Sequence, residues 1–372
     1  MKTVRRLFYV DIVTAVAFVA LAFLSLSFFI DFIDQLGDVG QGGYTVVQAT
    51  LYSLLLLPGH FYEVAPIAGL IGTIYTLARM AQASEYTILR TGGLGPGRAL
   101  SLLATLGMVF GVLTFVVGDY LAPLSERQAN QVQAMAKGGL KLGRSGAWLK
   151  DNHVAPPQGE RSYSINVGSA GPKGLLHDVR IFEFDPDGRI LRRIAAASAQ
   201  VEANQTWELH DVSVTRWVDA DDAAGASQVP EQKLPGLAWR SSLSAAMVAA
   251  AVSPVSSMST IDLARYIVHL SDNEQAAQSH QIQFWKRALY PFACLVMVGL
   301  ALPFAYMHAR AGGISLKVFG GIMLGISFVL LNNVAGHLGL LRNWTPWMVA
   351  AAPSALYLLL SFAAFSWLVR YR

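Results

Sequence analysis

The groups best placed to do chemistry in this 372-residue chain stand at the ends of long apolar runs. Asp31 and Asp34 close the first run, and His60 and Glu63 interrupt the second. Trp285, Lys286 and Arg287 open the fourth, and Asn332 and Asn333 close the fifth. Charge within a bilayer is costly unless it is paired or wet, so such residues mark sites by default. On the topology derived below, all four sets fall at one interface. One reading is a cavity that offers cations to an anionic lipid headgroup. The other is interfacial anchoring, in which Trp and Lys sit at headgroup level without a specific ligand.

A second candidate is "ARMAQASEYTILRTGGLGPG", residues 78–97, between two apolar runs. Ser84 can cap a short helix over about 84–92 that carries Glu85, Tyr86, Leu89 and Arg90 and stops at Gly92-Gly93. Glu85 lies in the first turn, where the helix dipole favours a negative charge. So short a helix is marginal alone and calls for a partner to hold it. The competing reading is a capped surface loop that joins two spans.

Signatures of enzyme chemistry are absent. There is no GxxxxGK[ST], HExxH, GxSxG or paired-cysteine zinc spacing. "GGLGPGR" at 92–98 lacks the phosphate-binding lysine, and Asp185 and Asp187 read as a turn, "DPDG". The single cysteine, Cys294, lies in an apolar run and reads as packing. No cofactor and no metal site is expected of this chain.

The elements that position these residues follow from hydropathy. The chain is 53% hydrophobic and 14% charged, against about 25% charged in soluble domains, so it reads as membrane-embedded. Basic residues flank the apolar runs and form no nucleic-acid patch. Spans are expected at Ile12–Ile30, about 61–78, Ala99–Gly118, Ala288–Met307, Val318–Val334 and Trp347–Val369. Around the second, an interfacial helix at 45–57 and a bend at Pro58-Gly59 are expected. The third is expected to close at Asp119 and Pro123. Small residues at 25–27 have signal-peptide spacing, but the apolar run continues past them, so the first span is read as retained. Ten Lys and Arg lie in the termini and loops of one side, against Arg342 alone in the short loops of the other. Both termini and the 78–97 stretch are therefore expected to be cytoplasmic.

Residues 125–275 hold 32 of the 52 charged Asp, Glu, Lys and Arg. Short alternating segments at 147–151, 161–168, 177–185, 188–203 and 206–219 read as strands of a sandwich or open roll. In the last, the apolar face shifts phase between Leu209 and Val212, which points to a bulge at His210-Asp211. The tract 220–258 reads as a loose strand and linker, and 259–272 as a helix returning to the membrane. The fold class is thus six transmembrane helices plus an extracytoplasmic β domain inserted between helices 3 and 4. The expected divisions are 1–124, 125–275 and 276–372.

"FIDQLGDVGQG" (32–42), "LARMAQASEYTILRTGG" (77–93), "GAWLKD" (146–151) and "FWKRALYPF" (284–292), in this order around an external β insert, resemble the LptF/LptG family of lipopolysaccharide-export ABC permeases, with the closer likeness on the LptG side. The resemblance covers essentially the whole chain. It implies a periplasmic β-jellyroll and a seven-component pathway. An LptF-type permease would pair with this chain in the inner membrane of a Gram-negative bacterium, and an LptB-type ATPase dimer would bind ATP and Mg. A single-span LptC-type subunit would insert its helix between the two permeases. The resemblance also assigns 84–92 as the coupling helix, with Ser84, Glu85, Tyr86, Leu89 and Arg90 at the ATPase and Glu85 as the key contact. Lipid A phosphates would meet the outer-interface set of Trp285, Lys286, Arg287, Asp31, Asp34 and Glu63. Relatives often carry lysines where this chain has Asp31, Gly37 and Asp38. Here either a divalent cation bridges phosphate to the aspartates, or Lys286 and Arg287 carry the electrostatics, the reading favoured. Acyl chains would line a channel of Ile165, Val167, Val179, Ile181, Trp207, Val212 and Val214, with a closed core as the alternative. Another lipid or lipoprotein exporter, or a non-transporting membrane receptor, are the competing functions.

Overall fold

The structure, a computed structural model, describes residues 2–40, 43–137, 140–141, 147–154, 160–170, 175–201, 206–217, 231–241, 243, 248, 258–272, 277–306 and 313–370. Among them, six helical stretches are long and apolar enough to cross a membrane. The helices are α1 (Lys2–Leu36), α2 (Val46–Gln82), α3 (Glu85–Thr91), α4 (Pro96–Val116), α5 (Ala122–Lys137), α6 (Thr260–Asp272), α7 (Gln278–Leu300), α8 (Leu302–Tyr306), α9 (Ile314–Leu341) and α10 (Pro346–Arg370). The chain divides into a helical unit (1–34, 53–125 and 278–372) and a second unit (35–52 and 126–277). Residues 35–52, grouped from sequence with the membrane part, belong to the second unit.

The span count holds, but the boundaries differ where proline misled the reading. α2 is one continuous helix through Pro58 and Pro66, with no separate interfacial helix and no break at 58–59. Proline costs one ladder bond, and packed transmembrane helices tolerate that loss. Pro123 does not end the third span either. A π-turn at Val117–Leu121 precedes it and the chain runs on into α5. Pro123 cannot donate to the carbonyl of Asp119, four residues earlier, and the wider turn removes the clash at that carbonyl. Further on, α7 begins at Gln278, so Trp285–Arg287 lie inside it rather than at its start. α9 continues two turns beyond Asn332-Asn333.

The helical core gathers Phe8 and Ile12 from α1, Leu70, Ile74 and Leu77 from α2, Leu103 from α4 and Met297 from α7, with Phe328 and Tyr357 from α9 and α10. Many large apolar side chains point outward, among them Phe18, Leu21, Val109, Phe319, Leu330 and Leu359. That outward surface suits a lipid solvent.

The β strands are β1 (Leu140–Lys141), β2 (Ala147–Val154), β3 (Glu160–Ala170), β4 (Leu175–Phe184), β5 (Ile190–Val201), β6 (Thr206–Arg216) and β7 (Glu231–Arg240). From β2 to β7 they form an antiparallel meander, and β1 pairs with the far end of β3. Asp185–Gly188 is the expected turn, closed by the Gly188 amide donating to the Asp185 carbonyl at 3.0 Å. Apart from β7, the linker expected at 220–258 lies almost entirely outside the described residues.

The phase shift expected at Asp211 is present but is not a bulge of one strand. The ladders keep register on both sides of a row that skips Gly168, Asp178, Ala197, Asp211 and Pro235. Asp178 and Asp211 both have φ 52° there. β4, β5 and β6 each pass an extra residue at this row, so the inner face changes phase in concert: Leu176 to Val179, Ala196 to Ala199, Leu209 to Val212. Pro235, which has no N–H, occupies this row on the edge strand, where one is not required.

The sheet is rolled. Tyr163 on β3 meets Trp239 on β7 with ring centroids 5.5 Å apart. In a flat sheet those strands would lie about 19 Å apart, at 4.8 Å per strand. The Ser241 hydroxyl closes the same seam by donating to the buried Asp151 carboxylate at 2.6 Å. Glu183, 1% exposed, is held by ion pairs from both Arg161 and Arg192.

The left-handed backbone at Asp211 favours glycine. Asp211→Gly should slow hydrogen exchange of 206–216 through a gain of about 1 kcal/mol. Asp211→Val should speed it through a loss of about 1–3 kcal/mol. Equal exchange in all three proteins would contradict the strain.

Candidate functional site

α3 is separated from α2 by Ala83 and Ser84 alone. Ser84 occupies the cap position, but with φ 61° its side chain makes no capping bond, contrary to the expected mode of capping. A left-handed residue turns the chain sharply instead, and the Ile88 amide donates to the Ser84 carbonyl at 3.1 Å. The helix ends as expected: the Gly92 amide bonds the Ile88 carbonyl at 2.9 Å, Gly93 has φ 99°, and the Leu94 amide reaches the Leu89 carbonyl at 2.9 Å.

The faces of α3 divide the expected coupling residues. Tyr86 is 3% exposed, and its ring meets Tyr306 of α8 edge-on at 5.4 Å. Burial, with Tyr306 beside it, pushes the Tyr86 phenol above its usual range and keeps it neutral. Leu89 packs on the same core, and the Arg90 guanidinium lies 6.0 Å from the Tyr306 ring centre. Tyr86, Leu89 and Arg90 therefore anchor α3 to the helical unit. Ser84 and Glu85 face outward, and so does Ile88, 67% exposed, which the sequence reading did not single out. Its signal was available: Glu85 and Ile88 are three apart, on one helix face.

The headgroup candidates do not form one cluster. The Asp31 carboxylate is bonded to His60 Nε2 at 2.6 Å, joining α1 to α2. Asp34 and Glu63 are exposed. Trp285 is partly exposed, on α7. Lys286 turns toward α9, where its Nζ donates to the Asn332 carbonyl at 3.1 Å and lies against Gly336. An ammonium has three N–H donors, so Lys286 can hold α9 and still meet an anion. Arg287 lies on the α2 side, within electrostatic reach of Tyr62. Tyr62 in turn stacks on Tyr290 at 4.2 Å and packs directly over Gly118 of the π-turn. The Tyr290 hydroxyl donates to the Glu63 carbonyl at 2.8 Å, beside the ladder gap left by Pro66.

No group of three or more His, Cys, Asp or Glu among the described residues is arranged to hold a metal ion. A cavity of about 170 Å³ between α4, α7, α8 and α10 is lined almost wholly by apolar side chains and touches none of the headgroup candidates. Cys294 is buried, as expected for packing. In the β roll, Ile165, Val167, Val179, Ile181, Trp207, Val212 and Val214 all lie in one buried cluster on the inner face.

Six spans, a β roll between the third and fourth, and a short anchored helix after the second can be compared with known proteins. A family model described as "Lipopolysaccharide export system permease LptF/LptG" matches residues 6–368. The chain belongs to the LptF/LptG family. The lipopolysaccharide export system permease protein LptG of Escherichia coli K12 is 27% identical over 354 residues, covering 94% of each chain. Its counterpart in Haemophilus influenzae is 24% identical over 362 residues, covering 96% of this chain and 97% of its own. The chain is thus a lipopolysaccharide-export permease subunit and a multi-pass membrane protein.

Tyr86→Ala should release α3 from the helical unit. The buried ring is worth about 3 kcal/mol, so amide exchange over 85–92 should quicken on the order of 100-fold. Glu85→Ala should leave that exchange unchanged. Equal effects of the two substitutions would refute the division of faces.

Proposed function

We propose that this permease is one half of the membrane part of an ABC exporter in a Gram-negative inner membrane, with α3 and both termini cytoplasmic and the β roll periplasmic. An LptF-type permease is the other half. An LptB-type ATPase dimer supplies ATP hydrolysis with Mg, while this chain binds no cofactor. An LptC-type single-span subunit is the accessory. Lipopolysaccharide enters from the outer leaflet, meets Lys286 and Arg287 with its phosphates, and passes its acyl chains along the inner face of the roll toward a bridge of similar domains.

The observation that carries this reading is the two-faced α3. Its inward face is fastened by Tyr86 and Leu89, and its outward face offers Glu85 beside an exposed Ile88. A carboxylate beside an apolar side chain is a small docking feature, and an anchored helix transmits what docks on it. Asp31 is engaged by His60, so a divalent bridge to phosphate through Asp31 would have to displace that pair. This favours Lys286 and Arg287 as the phosphate contacts, with Trp285, Asp34 and Glu63 at the rim.

Purification of the tagged chain from its native membrane in mild detergent, with mass spectrometry of what accompanies it, tests the assembly. A second six-span permease, a P-loop ATPase and lipopolysaccharide are the expected companions. Glu85→Arg should strip the ATPase through a loss of about 2 kcal/mol or more at the contact. Joint replacement of Lys286 and Arg287 by Ala should retain the ATPase but reduce lipopolysaccharide-stimulated hydrolysis. A homo-oligomer without ATPase or lipid would favour a membrane receptor instead.

A further inference from the structure

α1 and α2 are fastened to each other on both sides of a weak point. Near α3, Arg79 of α2 donates to the Asp11 carboxylate of α1 at 2.5 Å. One turn earlier the Thr76 hydroxyl lies 3.4 Å from the Asp11 carbonyl. Another turn back, α2 presses on α1 so closely that a Cβ at Gly72 would stand 2.6 Å from the Val16 amide nitrogen. Past Pro66, the Asp31–His60 bond joins the two helices again. The two side-chain bonds are separated by about 28 Å of α2, at 1.5 Å per residue.

Pro66 lies between these fastenings and removes the amide that would bond the Tyr62 carbonyl. A proline is where a helix bends under load. α1 contains no proline and is continuous over Lys2–Leu36. We propose that α1 splints α2 across Pro66, so that displacement of α3 reaches the Asp31 and His60 end as movement of one body instead of being absorbed as a bend at Pro66. Asp11 and Arg79 are then positioning residues for coupling. They act by fixing α1 to the α3 end of α2.

The splint rests on the transport reading, and one experiment separates the two. The complex, purified with its partner subunits, is reconstituted in vesicles containing lipopolysaccharide. Wild type is compared with Asp11→Cys/Arg79→Cys in a Cys294→Ser background. Without a cross-link, lipopolysaccharide-stimulated ATP hydrolysis should fall about fivefold. Bridging the thiols with a short bis-methanethiosulfonate should restore it to within about twofold, a span inside the range such couplings cover, and reductant should remove the gain. Full stimulation in the unbridged protein, or a bridged protein that stays low, overturns the splint. Pro66→Ala supplies a second readout, because it returns the missing ladder bond. It should suppress the loss in Asp11→Asn, which a merely structural ion pair would not permit, and absence of suppression also counts against the splint. Failure of the transport reading looks different: wild type itself would bring no ATPase, or would show no stimulation by lipopolysaccharide.

Discussion

Hydrocarbon offers no water to a polar side chain or to a broken helix ladder, so each such group in the spans must be answered by another helix. The helical unit is organised around those answers. Asp11 is met by Arg79, Asp31 by His60, and Lys286 by the Asn332 carbonyl. The carbonyl next to the Pro66 gap is met by Tyr290. Each pairing joins two helices, and together they set which helices can slide and which cannot. The apolar contacts around Leu70, Leu103 and Met297 supply area, whereas the polar contacts supply register.

This arrangement suits a machine that must carry force through a membrane without losing it. α3 is too short to be stable alone and gains its rigidity from Tyr86 against Tyr306. The π-turn before Pro123 lets the third span continue as α5 without a break. The β roll obeys a related rule: its seam is closed by aromatic contact and by a buried Ser241–Asp151 bond. The roll is thus closed by side chains across a seam rather than by a ladder of backbone bonds.

Much of the architecture was legible in the sequence because hydropathy is a strong signal in membrane proteins. Strand positions and the turn at Asp185–Gly188 were equally plain. The misreadings share a cause. Pro58 and Pro123 break isolated helices, but a packed bundle tolerates the first and a π-turn absorbs the second, neither of which is visible locally. Asp211 was recognised as irregular, yet its alignment with Asp178 and Pro235 depends on ladder register. The meeting of Tyr163 and Trp239 joins strands four places apart. Asp11 and Arg79 went unremarked because each alone resembles an ordinary flanking charge; the available signal was that they end consecutive antiparallel spans on the same side. Of the coupling candidates, sequence placed the helix correctly but could not say that Tyr86 and Leu89 face inward while Ile88 faces out.

The splint across Pro66 makes α1 and α2 one body between the Asp11–Arg79 and Asp31–His60 contacts. Pulsed electron-spin distance measurements test it directly, with labels at the exposed Ile33 of α1 and Tyr75 of α2, which lie on opposite sides of Pro66, in nucleotide-free and ATP-trapped complexes of wild type and Asp11→Asn. The Ile33–Tyr75 distance should stay fixed between the two states in wild type and shift in Asp11→Asn. A shift of that distance in wild type would contradict the splint.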